Sequence, residues 1–377
     1  LVITVIFTAW CFGPATASLL CLGFVTFFPF ASSFLPGQVD DYGLSLVGAL
    51  WSILPLLAGV NALIPKPNET SRIARRWFVV AGIVGGLCLW LSVTREVPVL
   101  LGIGVGALVA AVTGRCDAKF PPLPWRAWAL AGSVTTCVAF LAEYFPGHLA
   151  LREWRLETIH PLYAVAWLGA GELLFCFQSW CREAKPEWTR QRIVGAVIAV
   201  LAVASVPVAV LLNGDRTWLF ADAFAPRLTA LSSSPVAGNT AAWLARDHFS
   251  GAIAATLLPL LFLFPALRLV FQRITAASQR LALGVALGPV LVSGVFACFQ
   301  LRWWNFVDGS LLALLAAVGP SLAAHRARWL WAGAVGLVSI PGIVQLIPAR
   351  GWASTESVTE TEIVSLVESD LAHWLAN

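Results

Sequence analysis

The stretch Arg72-Ile73-Ala74-Arg75-Arg76-Trp77-Phe78-Val79-Val80-Ala81-Gly82-Ile83-Val84-Gly85-Gly86-Leu87-Cys88-Leu89-Trp90-Leu91 decides the fold class. Three arginines stand at one end. An uninterrupted apolar run follows, and Arg95-Glu96 lies just beyond it. A helix needs about 20 predominantly apolar residues to cross a bilayer, and about 17 at the short end. The run 77–93 meets that requirement, with a cationic flank on one side only.

The same pattern recurs along the chain. Runs at 12–34, 44–64, 77–93, 97–113, 127–142, 161–180, 193–213, 249–271, 281–300, 309–323 and 329–347 predict about eleven transmembrane helices. None shows the period-2 alternation of a barrel strand, and backbone groups in lipid must bond within their own segment. The expected fold is therefore an all-α polytopic membrane helix bundle, with residues 1–347 as its transmembrane domain. Of the 377 residues, 59% are hydrophobic and 12% are charged, against about 25% charged in soluble domains. That composition excludes a soluble globular domain, a disordered chain and a nucleic-acid partner.

Charge then assigns the sides. Alternate connections 65–76, 114–126, 181–192, 268–280 and 324–328 carry sixteen of the 24 Lys and Arg. Fifteen of the 20 Asp and Glu fall on the other set. By the positive-inside rule the basic connections face the cytoplasm. The long loops 143–160 and 214–248 and the C-terminal segment then face outward. Tryptophans at span ends, including Trp77, Trp90, Trp125, Trp128, Trp180, Trp303, Trp304, Trp329 and Trp331, read as interfacial anchors. The chain contains no Met and opens inside an apolar run, so it reads as an internal piece of a longer protein. After the polar stretch Thr355–Glu360, Ile363, Val364, Val367, Leu371 and Leu375 recur at helical spacing. Residues 348–377 read as the start of an extracytoplasmic C-terminal domain.

Within the spans, Gly102-Ile103-Gly104-Val105-Gly106 and Gly82, Gly85 and Gly86 suit close helix packing. Glu172, in Gly169-Ala170-Gly171-Glu172, reads as the one carboxylate inside a span, and intramembrane carboxylates default to a functional role. The outer loops hold the other candidates. Adjacent acids Asp40-Asp41 follow the first span, where they would either form a turn with Pro36-Gly37 or activate a hydroxyl or bind a hard divalent cation, Mg or Mn. Loop 143–160 carries Glu143, Arg152, Glu153, Arg155, Glu157 and His160. Its arginines suit a lipid phosphate and its carboxylates suit a general base. Loop 214–248 adds Asp215-Arg216, and Arg302 adds a further cation at the same level. No cluster of histidines or cysteines has metal-ligand spacing.

Two local patterns carry a resemblance. His160-Pro161-Leu162-Tyr163 resembles the P-L-Y entry to a span after an outer loop in the GT-C superfamily of membrane glycosyltransferases. Asp370-Leu371-Ala372-His373-Trp374-Leu375-Ala376-Asn377 is similar to the W-L-x-x-N helix that opens the soluble domain of oligosaccharyltransferase subunits, with Asn377 one position early. The topology also resembles that superfamily, which includes protein mannosyltransferases and aminoarabinose transferases. The resemblance implies a polyprenyl-phosphate sugar donor and a catalytic acid in the first outer loop. Asp40-Asp41 is the acidic pair in that place, although the loop 35–43 is shorter than its counterparts in the superfamily. On this reading Asp41 or Asp40 is the base, with Glu143 or Glu157 as second choice. Arg152, Arg155 and Arg302 would hold the departing phosphate, and His160, Glu172, Asp215 and Arg216 would line the substrate site. The membrane would be a bacterial inner membrane. Two other functions fit the same sequence: a non-enzymatic assembly subunit with a protein partner, and a lipid or solute carrier.

Overall fold

The computed structural model describes residues 1–34, 42–63, 67–113, 122–145, 156, 158–182, 189–213, 240–247, 251–272, 277–321 and 325–346. Among these residues the regular structure is helical throughout. The helices are α1 Val2–Phe12, α2 Pro14–Thr26, α3 Phe28–Ser32, α4 Tyr42–Asn61, α5 Pro67–Leu91, α6 Val93–Thr113, α7 Trp125–Tyr144, α8 Pro161–Arg182, α9 Arg190–Asn213, α10 Thr240–Asp247, α11 Gly251–Leu257, α12 Leu263–Phe271, α13 Ala277–Phe299, α14 Trp304–Ser321 and α15 His325–Leu346. Short 3₁₀ turns, Leu258–Phe262 and Leu301–Trp303, join α11 to α12 and α13 to α14. Proline-259 removes a backbone donor and accounts for the first of these turns.

Nine stretches among the described residues are long and apolar enough to cross a membrane, rather than the eleven expected. The two differences have separate causes. The expected span 12–34 is broken twice. Gly13 adopts φ 94°, a conformation that favours glycine, and Pro14 starts α2 at its first position. Phe27 is then extended, with ψ 94°, ahead of the proline-containing α3. Residues 309–321 of the expected span 309–323 lie in α14, an 18-residue helix about 27 Å long at 1.5 Å per residue.

Helix α14 nonetheless runs the length of the bundle. Its Gly309 faces Phe30, its Leu312 touches Gly23, and its Gly319 abuts Thr16, so it lies antiparallel to α2. From Phe306 to Val318 every residue is buried, and α14 packs against α1, α2, α3, α4 and α13. Of the lipid-length helices it packs against α4 and α13. At the periphery, α9 has only 11% of its apolar window buried.

The glycines do what their positions suggest. A Cβ on Gly288 would stand 2.0 Å from the backbone oxygen of Gly102 and 2.3 Å from the nitrogen of Gly106, so α6 and α13 touch backbone to backbone. Gly82 and Gly86 make the same kind of approach to α7, where a Cβ would meet Trp128 O at 2.3 Å and Thr135 Cβ at 2.7 Å. The spacing of four puts each pair on one face.

The tryptophans divide. Trp90 and Trp329 are exposed, as anchors would be, and Trp180 is marginally so. Trp125, Trp128, Trp303, Trp304 and Trp331 are instead buried, which corrects the anchor reading for them. The physical reason is aromatic packing. Phe78, Trp125, Trp128 and Trp167 form a chain of edge-on contacts at 5.1, 5.7 and 5.2 Å between ring centroids.

Candidate functional site

The two ends of the bundle can be told apart by their contacts. Trp90 Nε1 donates to Glu143 Oε2 at 2.7 Å, joining the end of α5 to the end of α7. Tyr42, Arg95 and Arg302 meet at the same end, which is therefore the end of the acidic connections. At the other end the Leu123 N–H donates to Gln178 Oε1 at 3.0 Å, and Arg126 reaches Glu172.

The acidic-connection end holds a compact polar group built on the first turns of α4 and α6. The Tyr42 hydroxyl donates to the backbone oxygen of Arg302 at 2.6 Å. Its ring face takes the Arg95 guanidinium at 4.5 Å, a cation–π contact. Arg95 Nη1 also donates to Ser45 Oγ at 3.2 Å. Asn305 Nδ2 donates to Ser33 Oγ at 3.2 Å. The short segment 301–305 thus bonds to both Ser33 and Tyr42, which flank the stretch carrying Asp40-Asp41.

Two carboxylates lie beneath this group. Glu96 is 2% exposed and accepts from Ser52 Oγ at 2.8 Å, beside the buried Cys88. Ser45 and Ser52 are seven residues apart, about two turns, and so share the α4 face that receives Arg95 and Glu96. Asp308 is fully buried in α14. Its Oδ2 lies 3.4 Å from the Phe30 backbone N–H donor, and its Oδ1 has no hydrogen-bond partner among the described residues. Glu172 is therefore not the one carboxylate inside a span, since Glu96 lies within the candidate span Val93–Val112.

Of the residues singled out in the sequence, Asp40, Asp41, Arg152, Arg155, Glu157, Asp215 and Arg216 lie outside the described residues, as does the segment 348–377. Glu143 lies near the end of α7, bonded to Trp90, and His160 immediately precedes α8. The His160 Nδ1 accepts the Leu162 backbone N–H at 3.1 Å, and its ring stands 6.4 Å from that of Phe140. Partial burial holds its pKa below the usual value for an imidazole, which favours the neutral ring that this acceptor role requires. Arg302 joins the Tyr42 group through its backbone, and its guanidinium lies 5.9 Å from the Trp303 ring centroid.

Glu172 belongs to the opposite end. Arg126 Nε and Nη2 donate to its two oxygens at 2.7 and 2.6 Å in a two-pronged pair. The Arg126 guanidinium stacks on Phe175 at 3.8 Å, and Cys176 Sγ donates to Glu172 Oε1 at 3.5 Å. This pair closes one side of a cleft between α8 and α9 of about 650 Å³. Glu172 thus does not join Glu143 or Arg302.

Sequence reasoning passed over Tyr42, Ser45, Glu96 and Asp308, and gave Arg95 no role. The available signal was Arg95-Glu96 at the threshold of an apolar run. Among the described residues no three His, Cys, Asp or Glu side chains converge to hold a metal ion. No protein-family model matches the chain, and no curated protein matches it.

Proposed function

We propose that the chain is a GT-C-like membrane glycosyltransferase of a bacterial inner membrane, acting at the outward face formed by its acidic connections. It moves a sugar from a polyprenyl-phosphate donor to an acceptor. The observation that carries this reading is the double attachment of the 301–305 segment to Ser33 and Tyr42. Those bonds tie both flanks of the Asp40-Asp41 stretch to the segment that contains Arg302. The reading takes an acid suited to a base from that stretch and a cation suited to a phosphate from Arg302.

In the proposed reaction the carboxylate of Asp41, or of Asp40, takes the proton of the acceptor hydroxyl or amide. The acceptor atom forms a bond to the anomeric carbon as the bond from that carbon to the phosphate oxygen breaks. The polyprenyl phosphate departs with the electron pair. Arg302, Arg152 and Arg155 stabilise its charge, and Arg95 supplies a further cation at the same end. Glu143 and His160 line the acceptor side.

The test is transfer in vesicles from a panel of polyprenyl-phosphate sugars, with the product read by mass spectrometry. The double variant Asp40→Asn/Asp41→Asn is expected to lower transfer at least about a hundredfold, the usual contribution of a general base. Transfer at the wild-type rate by that variant would eliminate the reading.

A further inference from the structure

We propose that the break between α2 and α3, facing Asp308 of α14, binds a single sodium ion. The proposal does not depend on the transferase reading.

The first observation is register. Gly23 meets Leu312 and Thr16 meets Gly319, so α2 and α14 run antiparallel. Continued by one turn, that register sets Asp308 opposite Phe27, where the helix breaks. Phe27 has ψ 94° and separates α2 from α3. Both helices pack against α14, and the Phe30 N–H of α3 reaches Asp308 Oδ2 at 3.4 Å. Thr26, Phe27, Phe30 and Asp308 are all buried, none more than 2% exposed.

The second observation is an unanswered charge. The bond from Phe30 is long for an N–H donor. Asp308 Oδ1 has no hydrogen-bond partner, and no Lys, Arg or His among the described residues pairs with the carboxylate. An ionised carboxylate enclosed in this way needs a counter-charge. At membrane depth such a residue defaults to a functional role.

The third observation is a set of bare oxygens beside it. A helix end leaves its last carbonyls without donors. Here Pro29 has no N–H to give Val25 O, and the Phe30 N–H that would serve Thr26 O is turned to Asp308. These oxygens belong to the C-terminal end of α2, the negative end of its dipole. A proton requires one acceptor. A metal cation takes several oxygens at once, which a carboxylate and a broken helix end provide together. One carboxylate balances one positive charge, and among the described residues no three His, Cys, Asp or Glu side chains converge, so a monovalent ion fits the site and a divalent one does not.

The experiment measures binding of radioactive sodium to the purified intact chain in detergent, with choline chloride holding the ionic strength constant. The wild-type chain is expected to bind one ion saturably. Asp308→Asn keeps an acceptor for the Phe30 N–H and should lose affinity by at least about tenfold, the effect of one charge-assisted contact. Glu96→Gln neutralises the other buried carboxylate and should bind as the wild type does. A second measurement needs no variant. Amide exchange at 28–34 should be about tenfold slower in sodium at about ten times the measured Kd than in choline, the factor that linkage gives. Absence of saturable sodium binding to the wild-type chain would overturn the proposal and leave a proton as the occupant of Asp308. So would wild-type affinity in a folded Asp308→Asn chain, loss of binding in Glu96→Gln, or exchange at 28–34 that ignores sodium.

Discussion

Replacing Gly288 by alanine tests the backbone contact between α6 and α13. The added Cβ would stand 2.0 Å from Gly102 O and 2.3 Å from Gly106 N, where ordinary contact begins at 3.4 Å. The helices must therefore separate by about 1.4 Å locally, and the obstructing atoms are backbone, which cannot rotate away. Overpacking of this kind costs about 1–3 kcal/mol, and the alanine returns up to about 1 kcal/mol in helix propensity. Crowding by rigid atoms sits at the upper end of the first range, so Gly288→Ala should destabilise by about 1–2 kcal/mol. Gly294 is the internal control, on the same helix with nothing within 4 Å. Gly294→Ala should be neutral or stabilising by up to about 1 kcal/mol. The assay is SDS titration in mixed micelles, followed by reaction of buried Cys88 and Cys181 with a fluorogenic maleimide. Equal midpoints for the two variants would refute the close approach of α6 and α13.

Three further outcomes follow from named contacts. Ser52→Ala removes the donor to the buried Glu96 and should destabilise by about 1–3 kcal/mol, and Glu96→Gln on that background should recover part of the loss; both are read from the same titration. Tyr42→Phe keeps the ring under Arg95 but loses the bond to Arg302 O, so amide exchange at 301–305 should rise by about five- to tenfold, an opening cost lowered by about 1 kcal/mol; unchanged exchange would contradict the tie. Because burial lowers the His160 pKa, the unfolded chain takes up a proton that the folded one resists as pH falls through 6.5. Stability should decline below that pH, and His160→Gln should flatten the decline in melting curves between pH 5 and 8.

Much of the architecture was legible because lipid imposes length and continuity on apolar runs. Nine of the expected runs coincide with helices long enough to cross, and Gly102, Gly106, Gly82 and Gly86 pack as their spacing suggests. Failures came where one-dimensional rules meet three-dimensional packing. Asp308 stands one residue outside the expected run 309–323 and so reads as a loop residue. In the fold it is wholly buried, because α14 is enclosed by neighbours from its first turn. Trp303 and Trp304 read as anchors for the same reason. The pairing of Glu172 with Arg126 spans 46 residues, a separation that no local pattern reveals. The pairing of Tyr42 with Arg302 spans 260 residues and is invisible to periodicity. What the fold adds at that end is the attachment of the segment 301–305 to Ser33 and Tyr42.

The account rests on a bundle whose two ends face different compartments, with the acidic connections outward. In a background lacking its eight cysteines, single replacements Glu143→Cys and Arg76→Cys should be probed with a membrane-impermeant maleimide on sealed bacterial cells. Both positions are exposed. The account predicts labelling of the Glu143→Cys protein in intact cells, and of the Arg76→Cys protein only after the membrane is opened. Labelling of both from the same side, or the reverse order, would contradict it.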